Sequence, residues 1–526
     1  MGHGSDLIAA LQQPQAWPHP VQQPIGLVET HISWVLLTGP YAYKLHKAVN
    51  LGFLDFTSLE QRLHDCREEL RLNRRLSDDL YLNLVAVVAS PAGPRVVDAT
   101  APVAELPGPV LEYGLRMRQF PQEALLPQAL ARGAIQPGAI EALATDLARF
   151  HHRAAVASVA GPYGTPAAVR QPVLDNFKAL APNLAPALQP QLKRLQRWAD
   201  QAFAQLSPVM HQRLASGRVR ECHGDLHLGN MLLEGGRIRV FDCLEFSPAL
   251  RWIDVISDMA FLVMDLEERG HPLLANQVLN TWLASNGDYG GLQLWRWYVS
   301  YRALVRAKVA VLSGDHSATG PAADYLAMAE RQCGAPGAAA LVLCHGLSGS
   351  GKSHLSKRLA AGMGAIRLCS DGERKRWFGL WGLADGPQRQ GDPYAAEVSD
   401  ALFLQHLPTL ALGLLQAGFS VIVDATFLRQ RYRRAMAEVA ERCAVPLRIL
   451  DLQVPLPLLQ QRIRARQRAG NDPSDADLAV LGQQLQQRQP LDRGEQALSI
   501  PVPIDWSLEA ILSAVQAPGF GASSSP

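Results

Sequence analysis

GLSGSGKS, at residues 346–353, follows the apolar run ALVLCH and leads into SHLSKRLAAG, which has helical texture. No other stretch restricts the fold of this chain as much. A G-x-x-x-x-G-K-S loop functions only where a strand ends and a helix begins. There its backbone N–H groups converge on an anion at the positive end of the helix dipole. The runs GAIRLCS, FSVIVDAT and PLRILDLQV follow, each apolar, short and separated from the next by helical segments. Strand–helix alternation of this kind predicts a parallel sheet covered by helices on both faces.

Within that loop, Gly346, Ser348, Gly349, Ser350 and Gly351 would wrap phosphates through the backbone. Lys352 would reach the β- and γ-phosphates of ATP, and Ser353 would bind Mg2+. Asp424 ends the run FSVIVDAT at a strand terminus, from which a carboxylate reaches the same metal. CSDGER (369–374) follows the second strand and presents Asp371, with Arg374 three residues on. QQRIRARQRAGNDPSDAD (460–477) places arginines on a helix entering a Gly-Asn-Asp-Pro loop, as a mobile lid would. Arg462 and Arg466, at i and i+4, share a face and could clamp phosphates. RQRYRR (429–434), with Tyr432 its only aromatic, reads as a solvated helix face.

The small-residue stretch RQCGAPGAAA (331–340) separates this part from everything before it. Two domains are therefore expected, at 1–332 and 338–515, with a disordered tail at 516–526. In the first, strand-like runs fill a small lobe at about 20–120, and mostly helical segments a larger lobe at about 122–330. The larger lobe contains HGDLHLGN (223–230), where Asp225 and Asn230 stand five positions apart. That is the spacing of a kinase catalytic loop, with the Asp taking the acceptor proton and the Asn holding a metal. MLLE–GG–RIRVFD (231–242) then reads as a hairpin turning at Gly235–Gly236. Its return brings Asp242 back toward Asn230 as a second metal ligand.

On these residues, 20–330 resembles the aminoglycoside phosphotransferase family, whose members share a protein-kinase-like fold. The resemblance implies a bilobal α+β domain with Asp225 catalytic and Asn230 and Asp242 as Mg2+ ligands. It also implies a strand lysine on the phosphates and a glutamate to position it. Lys44 in YAYKLHK fits the strand lysine, while Lys47 suits a solvated strand end. Leu59, Leu63, Cys66 and Leu70 form the apolar stripe of the next helix; Glu69 flanks that stripe and Glu68 lies opposite. Glu69 is the expected partner. The turn THIS (30–33) stands where a Gly-rich loop is usual, and Cys243 where the family has an aromatic. RWIDVISD (251–258) replaces the usual Gly-Asp-Pro, so Asp254 and Asp258 read as structural. Gly224 occupies the place of the arginine that reads activation-loop phosphate in regulated protein kinases. Only 15 residues separate Asp242 from Asp258, too few for such a segment, which favours a small-molecule acceptor.

Residues 340–490 look like P-loop kinases that phosphorylate small hydroxyl compounds or nucleic-acid 5′ ends. That group includes AAA-type kinases, gluconate kinase, chloramphenicol phosphotransferase and polynucleotide kinase. The D-x-x-R pair of polynucleotide kinase carries the role of base onto Asp371 and of substrate contact onto Arg374.

Fifty Lys+Arg against 48 Asp+Glu leave a net charge of +2, so a nucleic-acid partner is not expected. The seven cysteines form no C-x-x-C pair, which argues against a zinc site or a disulfide framework. No secretory signal and no uninterrupted apolar span are visible, so a cytoplasmic protein without a membrane segment is expected. The fold class is then two domains, a protein-kinase-like bilobal α+β fold followed by an α/β P-loop NTPase fold with a parallel sheet. The implied function is transfer of the ATP γ-phosphate to hydroxyl groups of small molecules at two sites. Two alternatives stay open: a regulatory nucleotide-binding module, or a nucleic-acid 5′-end kinase, in the second half.

Overall fold

The computed structural model describes residues 2–50, 54–100, 103–334, 339–383, 388–469 and 477–517. Its chain forms two compact units. One comprises Met1–Leu143, Ala154–Val169 and Leu214–Asp258; the other comprises Ala144–Arg153, Arg170–Arg213 and Met259–Pro526.

In the first unit, β1 (Gly26–Glu29), β2 (Ser33–Leu37), β3 (Tyr41–His46), β4 (Tyr81–Val88), β5 (Arg95–Asp98) and β6 (Val110–Arg118) make one antiparallel sheet. Its order is β1-β2-β3-β6-β4-β5, so β3 lies inside the sheet. The THIS turn holds β1 to β2 through Thr30, whose Oγ1 accepts from the Ser33 backbone N–H at 3.0 Å. The helix Leu59–Asn73 begins at a capping box, with the Ser58 side chain accepting from Gln61 N–H and the Gln61 side chain reaching back. Its Cys66 joins Tyr81, Leu84, Tyr113 and Leu115 in a buried apolar cluster that also takes in Leu232. Leu232 belongs to the hairpin of β8 (Met231–Glu234) and β9 (Arg237–Val240), which turns at Gly235–Gly236 as the sequence indicates. This cluster seats the catalytic-loop hairpin on the sheet. β7 (Val219–Glu221) and β10 (Trp252–Asp254) pair on either side of it.

The second unit contains a five-stranded, all-parallel sheet of β11 (Leu341–His345), β12 (Ile366–Cys369), β13 (Val421–Asp424), β14 (Leu447–Leu452) and β15 (Ser499–Val502). The order is β12-β13-β11-β14-β15. β11 is buried along its whole length, as a central strand flanked by parallel neighbours must be. Four of these strands are visible as apolar runs in the sequence. The fifth, SIPV, is not, because it is short and carries Pro501, which only a sheet edge accepts.

The compact units do not follow the linear division of the sequence. The helices Pro272–Asn286 and Trp295–Leu312, which precede the 331–340 boundary, belong to the unit that holds the parallel sheet. One segment, Ala396–Gln416, is long and apolar enough by composition to cross a membrane, with a mean hydropathy of 1.3. Its Leu402, Leu407, Ala411 and Leu414 are instead buried, and it packs on β13 and the helix Gln430–Cys443. That last helix corrects in part the reading of RQRYRR as solvated: Arg431 and Arg434 are exposed, but Arg433 is only 1% exposed. Its guanidinium donates to both Glu495 carboxylate oxygens, at 2.7 and 2.8 Å, and to the Phe427 carbonyl at 2.9 Å. Removing one partner of a buried pair strands the other. Arg433→Ala is expected to destabilise this unit by about 3–5 kcal/mol, read from its transition in chemical denaturation.

Candidate active sites

In the first unit, Lys44 on β3 stands between two carboxylates. Its Nζ donates to Glu69 Oε1 at 2.8 Å and to Asp242 Oδ1 at 3.0 Å. Glu68 faces away and pairs with Arg71 at 2.8 Å, while Lys47 pairs at the strand end with Glu29 at 2.6 Å. Glu69 is 0% exposed. Burial opposes the charge on Lys44, but Asp242, Glu69 and Glu245 outweigh it and hold the lysine well above its ordinary pKa.

The loop 223–230 is held by its own polar groups. Asn230 Nδ2 donates to the Asp225 carboxylate and to the Asp225 carbonyl, both at 3.0 Å. His227 Nε2 lies 3.3 Å from the same carboxylate. Asp258 underpins the loop, accepting from the His223 N–H at 2.8 Å and the Gly224 N–H at 3.0 Å. The sequence reading of Asp258 as structural agrees with that position. Gly224 has φ 86°, and an added Cβ would lie 2.9 Å from the Leu250 carbonyl oxygen. An arginine of the regulated-kinase type therefore cannot replace it. Asp242 itself adopts a left-handed φ of 59°, a strained conformation for a side-chain-bearing residue. Its N–H donates to the Tyr81 hydroxyl at 3.2 Å. Cys243, in place of an aromatic, is buried, with its N–H donating to Asn73 Oδ1 at 2.8 Å.

In the second unit, β11 runs into the phosphate-binding loop, and the helix Lys352–Met363 follows. Gly349 and Gly351 have φ of 83° and 96°, the left-handed conformation that such a loop takes at a helix start and that glycine adopts without strain. Lys352 Nζ folds over the loop, donating to the Leu347 carbonyl at 2.8 Å. Ser348 N–H donates to Gln484 Oε1 at 2.9 Å. Arg462 Nη1 lies 3.4 Å from the carbonyls of both Gly349 and Ser350, which puts it on the loop. Arg466 is in the same helix with its side chain outside the described residues, as are residues 470–476 of the expected lid and 518–526 of the tail.

Asp424 ends β13 opposite Cys369 at the end of β12, and Asp371 and Arg374 occupy the helix Ser370–Trp377 immediately beyond. Asp371 lies 3.8 Å from Arg374, whose guanidinium stacks 4.6 Å over the Tyr394 ring. Asp424 is buried, which works against its charge. Arg367 and Lys352, with hydrogen bonds from Arg367 and Ser353, reverse that effect and hold its carboxyl below the usual range. A cavity of about 410 Å³ opens beside the loop, lined by Ser350, Gly351, His354, Arg462, Ile504 and Trp506 among others.

Both donor sets suit Mg2+, which prefers oxygen. Asn230 and Asp242 offer an amide and a carboxylate oxygen, and Ser353 and Asp424 a hydroxyl and a carboxylate.

A strand lysine paired to a helix glutamate above an Asp–Asn loop, and a strand–loop–helix phosphate cradle, define a kinase. The chain is an ATP-dependent kinase whose residues 54–295 match the phosphotransferase enzyme family and whose residues 341–491 match an AAA domain. It belongs to one family with an uncharacterized protein of Mycobacterium tuberculosis, 30% identical over 475 residues, covering 88% of this chain and 90% of the relative. A protein of Mycobacterium bovis matches to the same extent. Among solved structures, it is similar to a choline/ethanolamine kinase family protein from Mesorhizobium loti, with 14% identity and a TM-score of 0.37, covering 63% of this chain and 93% of that one. A sugar kinase from Janibacter sp. is similar at 19% identity and a TM-score of 0.26, over 34% of this chain and 91% of that one.

Several site residues escaped the sequence. Tyr81, which bonds the Asp242 backbone N–H, and Arg367, which bonds the Asp424 carboxylate, sit far along the chain from those partners, and no local spacing announces them. Glu245 is the most consequential. Arg251 donates to its backbone carbonyl at 2.6 Å, but its buried carboxyl has no such bond from an arginine or lysine among the described residues, and burial first, then Glu69, pushes that carboxyl up to about 8. The folded chain therefore retains a proton that the unfolded chain gives up above its ordinary value of 4.5. The contribution of this group to stability falls as pH rises from 4.5 to about 8. Glu245→Gln removes that loss. Without nucleotide, its melting temperature relative to wild type is expected to climb across this window and level off above it.

Proposed function

We propose that the chain is a bifunctional ATP-dependent phosphotransferase, transferring the γ-phosphate of ATP to hydroxyl groups of small molecules at two separate sites. What supports the proposal is that each half has its own lysine placed as a phosphate ligand would be and its own carboxylate placed as an acceptor base would be. In the first half these are Lys44 and Asp225; in the second, Lys352 and Asp371.

At the first site, Lys44 is kept charged and aimed by Glu69, ready for the phosphates. Asn230 holds the Asp225 carboxylate in place with its amide N–H, and the amide oxygen and Asp242 would hold Mg2+. Asp225 takes the proton of the acceptor hydroxyl as its oxygen attacks phosphorus. At the second site the loop 346–351 at the helix start and Lys352 would bind the phosphates, Arg462 would cover them, and the adjoining cavity has room for the base and ribose. Ser353 and Asp424 would hold the metal, and Asp371 would accept the acceptor proton, with Arg374 in contact with the acceptor. Bound Mg2+ neutralises charge on the transferring phosphoryl group and its leaving oxygens.

Small acceptors are favoured at the first site because Gly224 leaves no place for an activation-segment arginine. At the second, the near-neutral charge of the chain weighs against nucleic-acid ends. The reacting groups of each activity then lie within one part of a linear two-module arrangement, 1–332 and 338–515. A cytoplasmic setting fits seven free cysteines.

The test is acceptor-dependent ADP release on fractionated metabolites. Asp225→Asn is expected to lower turnover of one set of acceptors by about 10²–10⁴-fold. Lys352→Ala is expected to lower turnover of a different set by about 10²–10³-fold. Loss of every activity in Asp225→Asn, with Lys352→Ala active throughout, would sink the second kinase.

A further inference from the structure

The strand β12 is an edge of the parallel sheet, so one side of its backbone has no strand partner. The helix Pro272–Asn286 fills that side with side-chain amides. Asn280 Oδ1 accepts from the Arg367 N–H at 2.7 Å, and Asn280 Nδ2 donates to the Ala365 carbonyl at 2.9 Å. Asn276 Nδ2 donates to the same carbonyl at 3.0 Å, and its Oδ1 accepts from Asn280 Nδ2 at 2.9 Å. One asparagine thus supplies both the donor and the acceptor that a neighbouring strand would have offered.

What this fixes is not an inert edge. The Arg367 side chain crosses to the phosphate end of the sheet. Its Nε donates to Ser356 Oγ at 2.8 Å, and its Nη2 donates to the Asp424 carboxylate. Ser356 in turn donates to the Ser353 carbonyl at 3.2 Å. Asp424 and Ser353 are the oxygen donors assigned to Mg2+. The last turn of the same helix holds the acceptor side as well. Its Ala284 and Ser285 carbonyls accept from Arg376 at 2.6 and 3.0 Å, which caps the negative end of the helix dipole. Arg376 belongs to Ser370–Trp377, the helix that bears Asp371 and Arg374.

We propose that the helix Pro272–Asn286, from the chain segment preceding the linker, is a working part of the P-loop site. Asn280 is a positioning residue that sets Arg367, and through it Asp424, for the metal. Arg376 does the same for the acceptor helix. The P-loop half then depends for its own reaction on a helix that precedes it by about 60 residues in the sequence. This rests on the reading of Lys352, Ser353 and Asp424 as an Mg·ATP site.

The experiment uses the full chain carrying Lys44→Ala, so that only the second site contributes, and titrates a fluorescent ATP analogue with Mg2+ or with EDTA. Asn276→Ala/Asn280→Ala is expected to raise the Mg2+ concentration for half-maximal binding about 5–20-fold. Binding in EDTA should hardly change, because the phosphate cradle is intact. Asn276→Ala alone, which leaves the bonds of Asn280 to Ala365 and Arg367 in place, is expected to keep most of the Mg2+ response. A lowered melting temperature with an unmoved Mg2+ midpoint would overturn the proposal and leave the asparagines as an edge cover. If the double variant does not fold, Asn280→Ser is read by the same criterion. Lys352→Ala in the same background is the control. Unchanged binding there would remove the nucleotide site itself, and this proposal with it; lost binding there beside an unmoved midpoint in the asparagine variants would remove the proposal alone.

Discussion

A carboxylate taken out of water stays ionised only if a cation stands beside it, and both halves of this protein are arranged around that requirement. Glu69 is wholly buried; burial pushes its carboxyl above the ordinary value, and Lys44 at 2.8 Å pulls it back toward the charged form. Asp424 is wholly buried and keeps its charge through Arg367 and Lys352. The basic partner comes each time from a neighbouring strand or loop that packing has brought close. The chemistry attributed to each site, with a lysine for phosphate and a carboxylate for metal, depends on these pairs forming first.

The two halves solve phosphate binding differently. In the first, the lysine comes from the middle of an antiparallel sheet, and the Asp–Asn loop is braced from below by Asp258 through two backbone N–H groups. Positioning there relies on side chains far apart in sequence. In the second, the proposed phosphate site is a contiguous loop at a helix start, and its lysine, Lys352, is local to that loop. The shared need is for the protein to hold its polar groups in place before substrate arrives, which is how preorganised electrostatics lowers a phosphoryl-transfer barrier. The strained φ of Asp242 fits the same demand, since only a surrounding that fixes Tyr81 and Lys44 keeps it there.

Much of this was legible in the sequence where the physics is local. The strand–loop–helix run at 341–363 can be read from apolar length, glycine spacing and helical texture. The turn at Gly235–Gly236 can be read from two adjacent glycines between apolar runs. Helical phase alone separates Glu69, which meets Lys44, from Glu68, which meets Arg71. Glu245, Tyr81 and Arg367 were not legible, because each acts on a residue brought near only by folding. Arg433 was misread for the same reason: a basic run looks solvated until Glu495 and three carbonyls close around it.

The sequence by itself determined that two unrelated phosphate-handling folds follow one another. That is a property of short segments with a fixed period or spacing. Only the tertiary structure decided how the chain is shared between compact units. The helix Pro272–Asn286 precedes the linker in sequence, yet its asparagines complete the open edge of β12. The physical reason is that an exposed edge backbone must find donors and acceptors wherever folding supplies them, and sequence distance places no limit on that.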